Sequence, residues 1–578
     1  MQMTSDQKGL SNKLAFVYGE HKAALILNRI NELISNYQTG TAKAKWVSQN
    51  DVMLITYADS LRSEGEQPIE TMNRFGREYL HNLFSAVHLL PFYPYSSDDG
   101  FSVIDYREVN PSVGNWDGIK ELSEQFDLMF DGVINHISQH SEWFKQFLAG
   151  NPEYTGYFVE SDPSADYSKV TRPRALPLLT KFATATGDKH VWTTFSDDQI
   201  DLNYENENVL LEILDILLMY ASHGARYLRL DAIGFMWKKL GTTCIHLDET
   251  HAIVQIIREV LDLASPGTII ITETNVPHKD NISYFGNGYN EAHMVYQFPL
   301  PPLTLHTIST GNSTKILQWA ESLGDTTETT SFFNFLASHD GIGVRPVEGI
   351  LTKEEVQSLV DRVQNHGGFV SYKDNGDGTK SPYELNINYL DALSHPDEEY
   401  GLKVKRFMAA NGILLSMIGV PGIYIHSLLG SRNDLEGVKA TGRYRSINRA
   451  QLEYNKLRDE LGQADSLRSQ VLKGFQTLLD IRRAEPAFHP NSVQRVLYLH
   501  DQLFTLVREA ENGDQIFVVI NVSNEPVRTT IPVAQLGWTE GQSVSELLGG
   551  EDVLVSISDA LTLEPYQVKW IKRSGKAV

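Results

Sequence analysis

Along the first 50 residues, Leu25, Ile26, Ile30, Leu33 and Ile34 recur at helical spacing between polar neighbours. The period predicts a packed helical extension over 1–50. From Val52 the texture changes to short, continuous apolar runs: VMLITY, VHLLPF, LMFDGVIN, ARYLRLDAIGF, TIIITETN, FFNFLASHD and VPGIYIH. Most lead through polar residues into a helix-period stretch such as 204–222 or 248–264. Continuous apolar strands alternating with helices predict a parallel sheet covered on both faces. More than 350 residues of this pattern, with polar residues at the strand exits, predict an α/β fold: a (β/α)₈ TIM barrel over 51–485. Two stretches interrupt it, about 140–200 and about 341–400, the second holding YKDNGDGTKSPYELN; inserted loops of that length are usually lids or binding loops. After an amphipathic helix at 466–484 the pattern turns to strand-type alternation in VQRVLYLH, LFTLVRE, QIFVVINVS, TTIPV and VKWIKR. That predicts an antiparallel β domain over 486–578.

The length of 578 residues alone implies roughly three or four domains. A net charge of −23 argues against a general nucleic-acid or anionic-membrane binder, since both need a cationic surface. An anionic substrate would therefore have to meet local cations. The polar start, Met1 to Lys13, has no apolar signal region. The most apolar run, Gly412 to Ile425, is too short to span a bilayer and reads as a buried strand with its preceding helix. With a single cysteine, Cys244, no internal disulfide or thiolate cluster forms. A cytoplasmic protein without nucleic-acid or membrane partners is the expectation; a homodimer is the one assembly considered.

Chemistry concentrates at strand exits. YLRL runs into Asp231, TIIIT into Glu273, and FNFLAS into His339 and Asp340. In a barrel the C-terminal strand ends form one rim, where active sites lie. Two carboxylates there can flank a glycosidic bond as nucleophile and acid/base. Arg229, two residues before Asp231, points to the same face and favours its ionised form. Acidic residues after strands also cap helices, but three on one rim with basic and aromatic neighbours favour a site.

These segments, with DGVINH and QIDLN, resemble the strand-end motifs of glycoside hydrolase family 13, the α-amylase superfamily. LITYAD, HLLPFYPYSSDDGFSVIDYREV, RPRALPL, GTTCIHL, PLPPLTLH and ASHDGIG extend the resemblance to its sucrose phosphorylase subfamily along nearly the whole chain. GFMWKKLGTTCIHL, TETNVPHKDNISYFG, SPYELN and SLLGSRND are most similar to the glucosylglycerol and glucosylglycerate phosphorylases. The resemblance implies that Asp231 is the nucleophile, Glu273 the general acid/base and Asp340 the transition-state stabiliser. It implies that Arg229, His136 and His339 hold the glucosyl ring, that Asp98 and Arg449 grip its 4-hydroxyl as a pair, and that Phe101 and Phe195 line the sugar site. In a retaining reaction Glu273 must be protonated first, so its pKa must rise while that of Asp231 must not.

Phosphate, rather than water, as attacking group needs a cation. Arg174 in TRPRALP matches the family's phosphate-binding arginine, whose planar fork suits phosphate. Phe235 and Asn275 depart from the subfamily, standing where a tyrosine and a histidine are expected; Asn275 can still donate to phosphate. These departures argue against sucrose as donor. Tyr383 and Glu384 match the mobile acceptor-site residues. Glu384 fits the hydroxyls of glycerol and would repel a glycerate carboxylate, unless Lys373 or Lys380 supplied a cation. The expected function is thus a retaining phosphorylase of glucosylglycerol. The alternatives are glucosylglycerate, then sucrose or sucrose 6′-phosphate phosphorylase, then a hydrolase or transglucosidase; a non-catalytic amylase-like scaffold would have lost the three carboxylates. Apart from phosphate as co-substrate, no cofactor is expected. No metal is expected either: DNGDGTKSPYE has Leu385 where an EF-hand needs its twelfth-position acid.

Overall fold

The computed structural model describes residues 5–37, 46–174, 176–324, 326–375, 378–539, 543–549, 553–556 and 560–573. Parts of the predicted N-terminal extension (1–4 and 38–45), Ala175 of TRPRALP and residues 376–377 of the acceptor loop lie outside these.

Eight parallel strands close a barrel: β1 (Met53–Thr56), β2 (Ala86–Leu89), β3 (Asp127–Gly132), β4 (Ala225–Leu230), β5 (Ile269–Thr272), β6 (Met294–Tyr296), β7 (Ser331–Phe335) and β8 (Val420–Tyr424). Each pairs with its sequence neighbours, and β8 returns to β1 through Met53 opposite Gly422. Seven of the eight are the apolar runs named above. The eighth, β6, is only three residues long and sits among turn formers and prolines, too short for a periodic signal. Gly422 lets β8 approach the interior: a Cβ there would lie 2.5 Å from Phe333 Cζ and 3.1 Å from Ile55 Cδ1.

The extension forms helices α1 (Ser5–Tyr18) and α2 (Glu20–Tyr37), which pack on the barrel helices Asp248–Ala264 and Glu207–Ser222. The face buried by α2 is Ala23, Ile26, Leu27 and Ile30, whereas Leu25 points to solvent. Lys13 fixes α1 through an ion pair to Glu259 at 2.6 Å.

Within 140–200 a hairpin pairs Leu179–Thr184 with Gly187–Trp192, and His136–Ser138 pairs with Gln199–Asp201. Within 341–400, Ile342–Gly343, Phe369–Asp374 and Lys380–Asn386 make a three-stranded antiparallel sheet. The stretch read as a loop from its turn formers is therefore mostly a hairpin, with Tyr383 and Glu384 on an inner strand. A six-stranded antiparallel sheet follows the barrel; in TTIPV the strand stops at Thr529 and Val533–Leu536 is a helical turn.

Two buried arginines at the junction of barrel and C-terminal domain form no ion pair within 4 Å among the described residues. Arg508 donates to the carbonyls of Ser416, His489 and Ser492. Arg482 donates to those of Gln49, Leu415, Gly419 and Phe488. Trp570 adds a 3.0 Å bond to Ser416 Oγ. Among the described residues no helix is long and apolar enough to cross a membrane.

Candidate active site

One cleft opens at the C-terminal ends of the barrel strands. It is lined by Asp98, Phe101, His136, Arg174, Phe195, Asp231, Glu273, Asn275, His339, Asp340, Tyr383 and Glu384. Of the residues assigned to the catalytic, sugar, phosphate and acceptor sites from sequence, Arg229 and Arg449 lie outside this lining; Arg229 is buried, and Arg449 lines an adjoining cavity with Asp98 and Arg445. The positions follow from chain direction: Asp231 is the first residue after β4, Glu273 the first after β5, and Asp340 stands five beyond β7.

Arg229 organises the floor. Its Nη1 donates to Asp231 Oδ1 at 2.9 Å and also to Asp131. Its Nη2 lies 3.9 Å from Glu273 Oε2. Asp131 in turn holds His88 Nε2 at 2.6 Å, so the guanidinium cannot swing away. Burial pushes the Glu273 carboxyl up to about 7, with Arg229 opposing and Asp231 and Asp340 adding to the rise. Burial raises Asp231 as well, against Arg229 and His136. The expectation that Asp231 would escape a rise is not met; Asp231 nevertheless accepts a direct charged hydrogen bond from Arg229 and Glu273 does not, which favours the ionised form of Asp231.

Burial alone would raise Asp340, yet Arg445, His339, Arg449 and Arg229 outweigh it and hold it well below the carboxylate range. Asp98 is likewise held low by Arg445, Arg174 and Arg449 against burial. Desolvation lowers His136, and lowers His339 to about 3, so both are neutral at pH 7. His339 stacks on Phe101 with centroids 4.8 Å apart, and Phe195 packs against both His136 and Phe235. Buried polar atoms without a hydrogen-bond partner include His339 Nδ1, Arg449 Nη2 and Asn275 Oδ1; a polar ligand would satisfy such groups.

The partners of Asp98 and Arg449 differ from the expected pair. Arg449 binds Asp99 and the carbonyl of His339, whereas Asp98 meets Arg174 Nη2 at 3.3 Å and Arg445 at 3.8 Å. Asp98 and Asp99 both have left-handed backbones, φ 52° and 49°, and this turn sends consecutive carboxylates to different arginines. Arg174 also stands over the Phe195 ring, 5.6 Å from its centroid.

Sequence reasoning missed Arg445. Its Nη1 is 2.7 Å from Asp340 Oδ1, and its Nη2 and Nε reach Glu384 at 2.9 and 3.1 Å. Glu384 also accepts from the Gly341 amide at 3.1 Å and is buried. The one signal in the sequence was the clustering of three arginines in GRYRSINR, where Arg445 lies in the short turn Tyr444–Asn448 and Arg449 follows it. The hairpin lysines do not line the cleft: Lys380 is exposed and Lys373 pairs with Glu348 at 3.7 Å. Arg345, also missed, does line it.

Residues 77–349 match the alpha amylase catalytic domain. The chain is 46% identical to a glucosylglycerate phosphorylase of Allomeiothermus silvanus over 98% of both chains. It is 29% identical to a glucosylglycerol phosphorylase of Marinobacter adhaerens over 76% of this chain and 88% of that one. Among solved structures it is similar to sucrose 6F-phosphate phosphorylase from Thermoanaerobacter thermosaccharolyticum, with a TM-score of 0.72 and 26% identity over 84% of this chain and 96% of that one.

Proposed function

Since the chain belongs to the α-amylase family, glycoside hydrolase family 13, and is one of its glycosyl-transferring phosphorylases, we propose that it is a retaining glucosylglycerate phosphorylase. It converts glucosylglycerate and inorganic phosphate to α-glucose 1-phosphate and glycerate, and back, in the cytoplasm. The observation that carries glycerate over glycerol is the double contact of Arg445 on Glu384. The glycerol preference rested on Glu384 as a free anion, but a carboxylate held by a bidentate guanidinium, itself shared with Asp340, is directed away from a free acceptor role and repels glycerate less. The full-length similarity to a glucosylglycerate phosphorylase supports the same choice.

In the first step the Asp231 carboxylate attacks the anomeric carbon and the bond to the glycerate oxygen breaks. Glu273 gives that oxygen its proton, leaving a β-glucosyl-enzyme. Asp340, ionised by its arginines, stabilises the positive charge developing on the sugar. In the second step an oxygen of hydrogen phosphate attacks the same carbon and Asp231 leaves as carboxylate. Glu273 takes the phosphate's proton and is reset. Arg174, with Asn275 of the same cleft lining, binds phosphate for this step. His136, His339, Phe101 and Phe195 shape the glucose site; Tyr383 and Glu384 face the acceptor.

The test is release of α-glucose 1-phosphate from glucosylglycerate, glucosylglycerol and sucrose, each with and without phosphate. The expected result is a phosphate-dependent signal with glucosylglycerate far ahead. Free glucose released equally with and without phosphate overturns the phosphorylase reading, and glucosylglycerol ahead overturns the acceptor.

A further inference from the structure

Arg345 is the first residue of a single helical turn, Arg345–Val347, that follows strand Ile342–Gly343. That strand pairs Gly343 with Glu384, and the Val344 amide donates to the Tyr383 carbonyl at 3.2 Å. Arg345 is therefore carried by the same small sheet that presents Tyr383 and Glu384. It lines the cleft together with Glu273 and Asn275, and a Cβ on Gly343 would come within 2.9 Å of Asn275 Nδ2. The segment thus sits against the loop that follows the proton donor.

Among the described residues three guanidiniums line this cleft: Arg174, Arg345 and Arg445. Arg174 has Asp98, and Arg445 has Asp340 and Glu384. The Arg345 guanidinium has no hydrogen bond or ion pair among the described residues, and Glu348, three positions on, is taken by Lys373. Arg345 is partly buried, so its charge is not simply dispersed into bulk water. An unmatched guanidinium in the same cleft lining as Glu273 meets the need set by the leaving group. In a 2-O-glucosylated glycerate the carboxyl carbon is attached to the carbon that bears the glycosidic oxygen, so the carboxylate must lie close to the group that protonates that oxygen.

We propose that Arg345 pairs with the carboxylate of glycerate and selects it over glycerol. This rests on the glucosylglycerate reading above. The test runs the reaction backwards: phosphate release from α-glucose 1-phosphate is measured with glycerate or glycerol as acceptor, for the wild type, Arg345→Ala and Arg345→Lys. Both acceptors use the same donor, so any change in folding or phosphate handling cancels in the ratio of their kcat/KM values. Loss of a charge-assisted hydrogen bond lowers the glycerate-to-glycerol ratio roughly 10- to 100-fold in Arg345→Ala. The change is expected mainly in the KM for glycerate, and Arg345→Lys is expected to recover part of it. A wild type that uses glycerate, with an unchanged ratio in Arg345→Ala, overturns the assignment of Arg345 alone. A wild type that uses glycerol and not glycerate overturns the glucosylglycerate reading and this assignment with it.

Discussion

Asp231 and Glu273 share one guanidinium unequally, at 2.9 and 3.9 Å, and that difference favours the ionised form of Asp231 over that of Glu273. In the proposed mechanism donor cleavage requires Glu273 in its acid form, and burial pushes its carboxyl up to about 7. The rate with glucosylglycerate should therefore fall as pH rises through about 7, approaching tenfold per pH unit above it. The alkaline limb should be missing with α-glucosyl fluoride, whose leaving group needs no proton. Glu273→Gln should lose about 10²- to 10⁴-fold with glucosylglycerate and much less with the fluoride. Asp231→Asn should lose about 10⁴-fold or more with both, measured as initial rates. Arg174→Ala should raise the KM for phosphate and the share of glucose released as free sugar; an unchanged phosphate dependence would remove Arg174 from the phosphate site. The three carboxylates were legible because each follows an apolar run that can only be a buried strand. The partners of Asp98 were not, because two adjacent carboxylates in a left-handed turn give no sequence sign of which one faces the cleft. Arg345 and Arg445 lie on connecting segments, where periodicity carries no information.

At the level of elements, the barrel depends on a few close approaches between strands. Gly422 in β8 leaves no room for a Cβ against Phe333 and Ile55. Gly422→Val should destabilise the fold by about 1–3 kcal/mol through overpacking. Urea denaturation would show this as a lower midpoint at an unchanged slope. The strands of four or more residues were readable one by one, and the closed eightfold arrangement followed from their alternation with helices. Strand β6 was not readable, because three residues between turn formers resemble a loop. The acceptor hairpin was also obscured, since its turn residues dominate its composition while its pairing depends on Ile342–Gly343, some 40 positions away. Arg445 then ties this hairpin to the barrel rim, linking Glu384 to Asp340.

For the whole molecule, the antiparallel pattern after 485 was plain, but its role was not. It reads as an appended module, whereas the structure makes it part of the barrel's support. Arg508 reaches back to Ser416, Trp570 bonds the Ser416 side chain, and a Cβ on Gly412 would lie 2.8 Å from Val568. A protein ending at residue 485 would leave the helix Tyr400–Ser416 with an uncovered apolar face and strip Arg482 of its bond to Phe488. Such a chain should accumulate in the insoluble fraction, while the full-length protein stays in the supernatant; the comparison needs only a gel. The same arginines bear on inheritance. They bind main-chain carbonyls, which every residue type supplies, so point mutations in the turns they hold can drift without breaking the junction. An exchange of the gene's last segment with that of a distant relative faces a different test, because the incoming strand must place a guanidinium within reach of an oxygen it did not evolve beside. Descent in this part of the chain should therefore show free substitution and little shuffling.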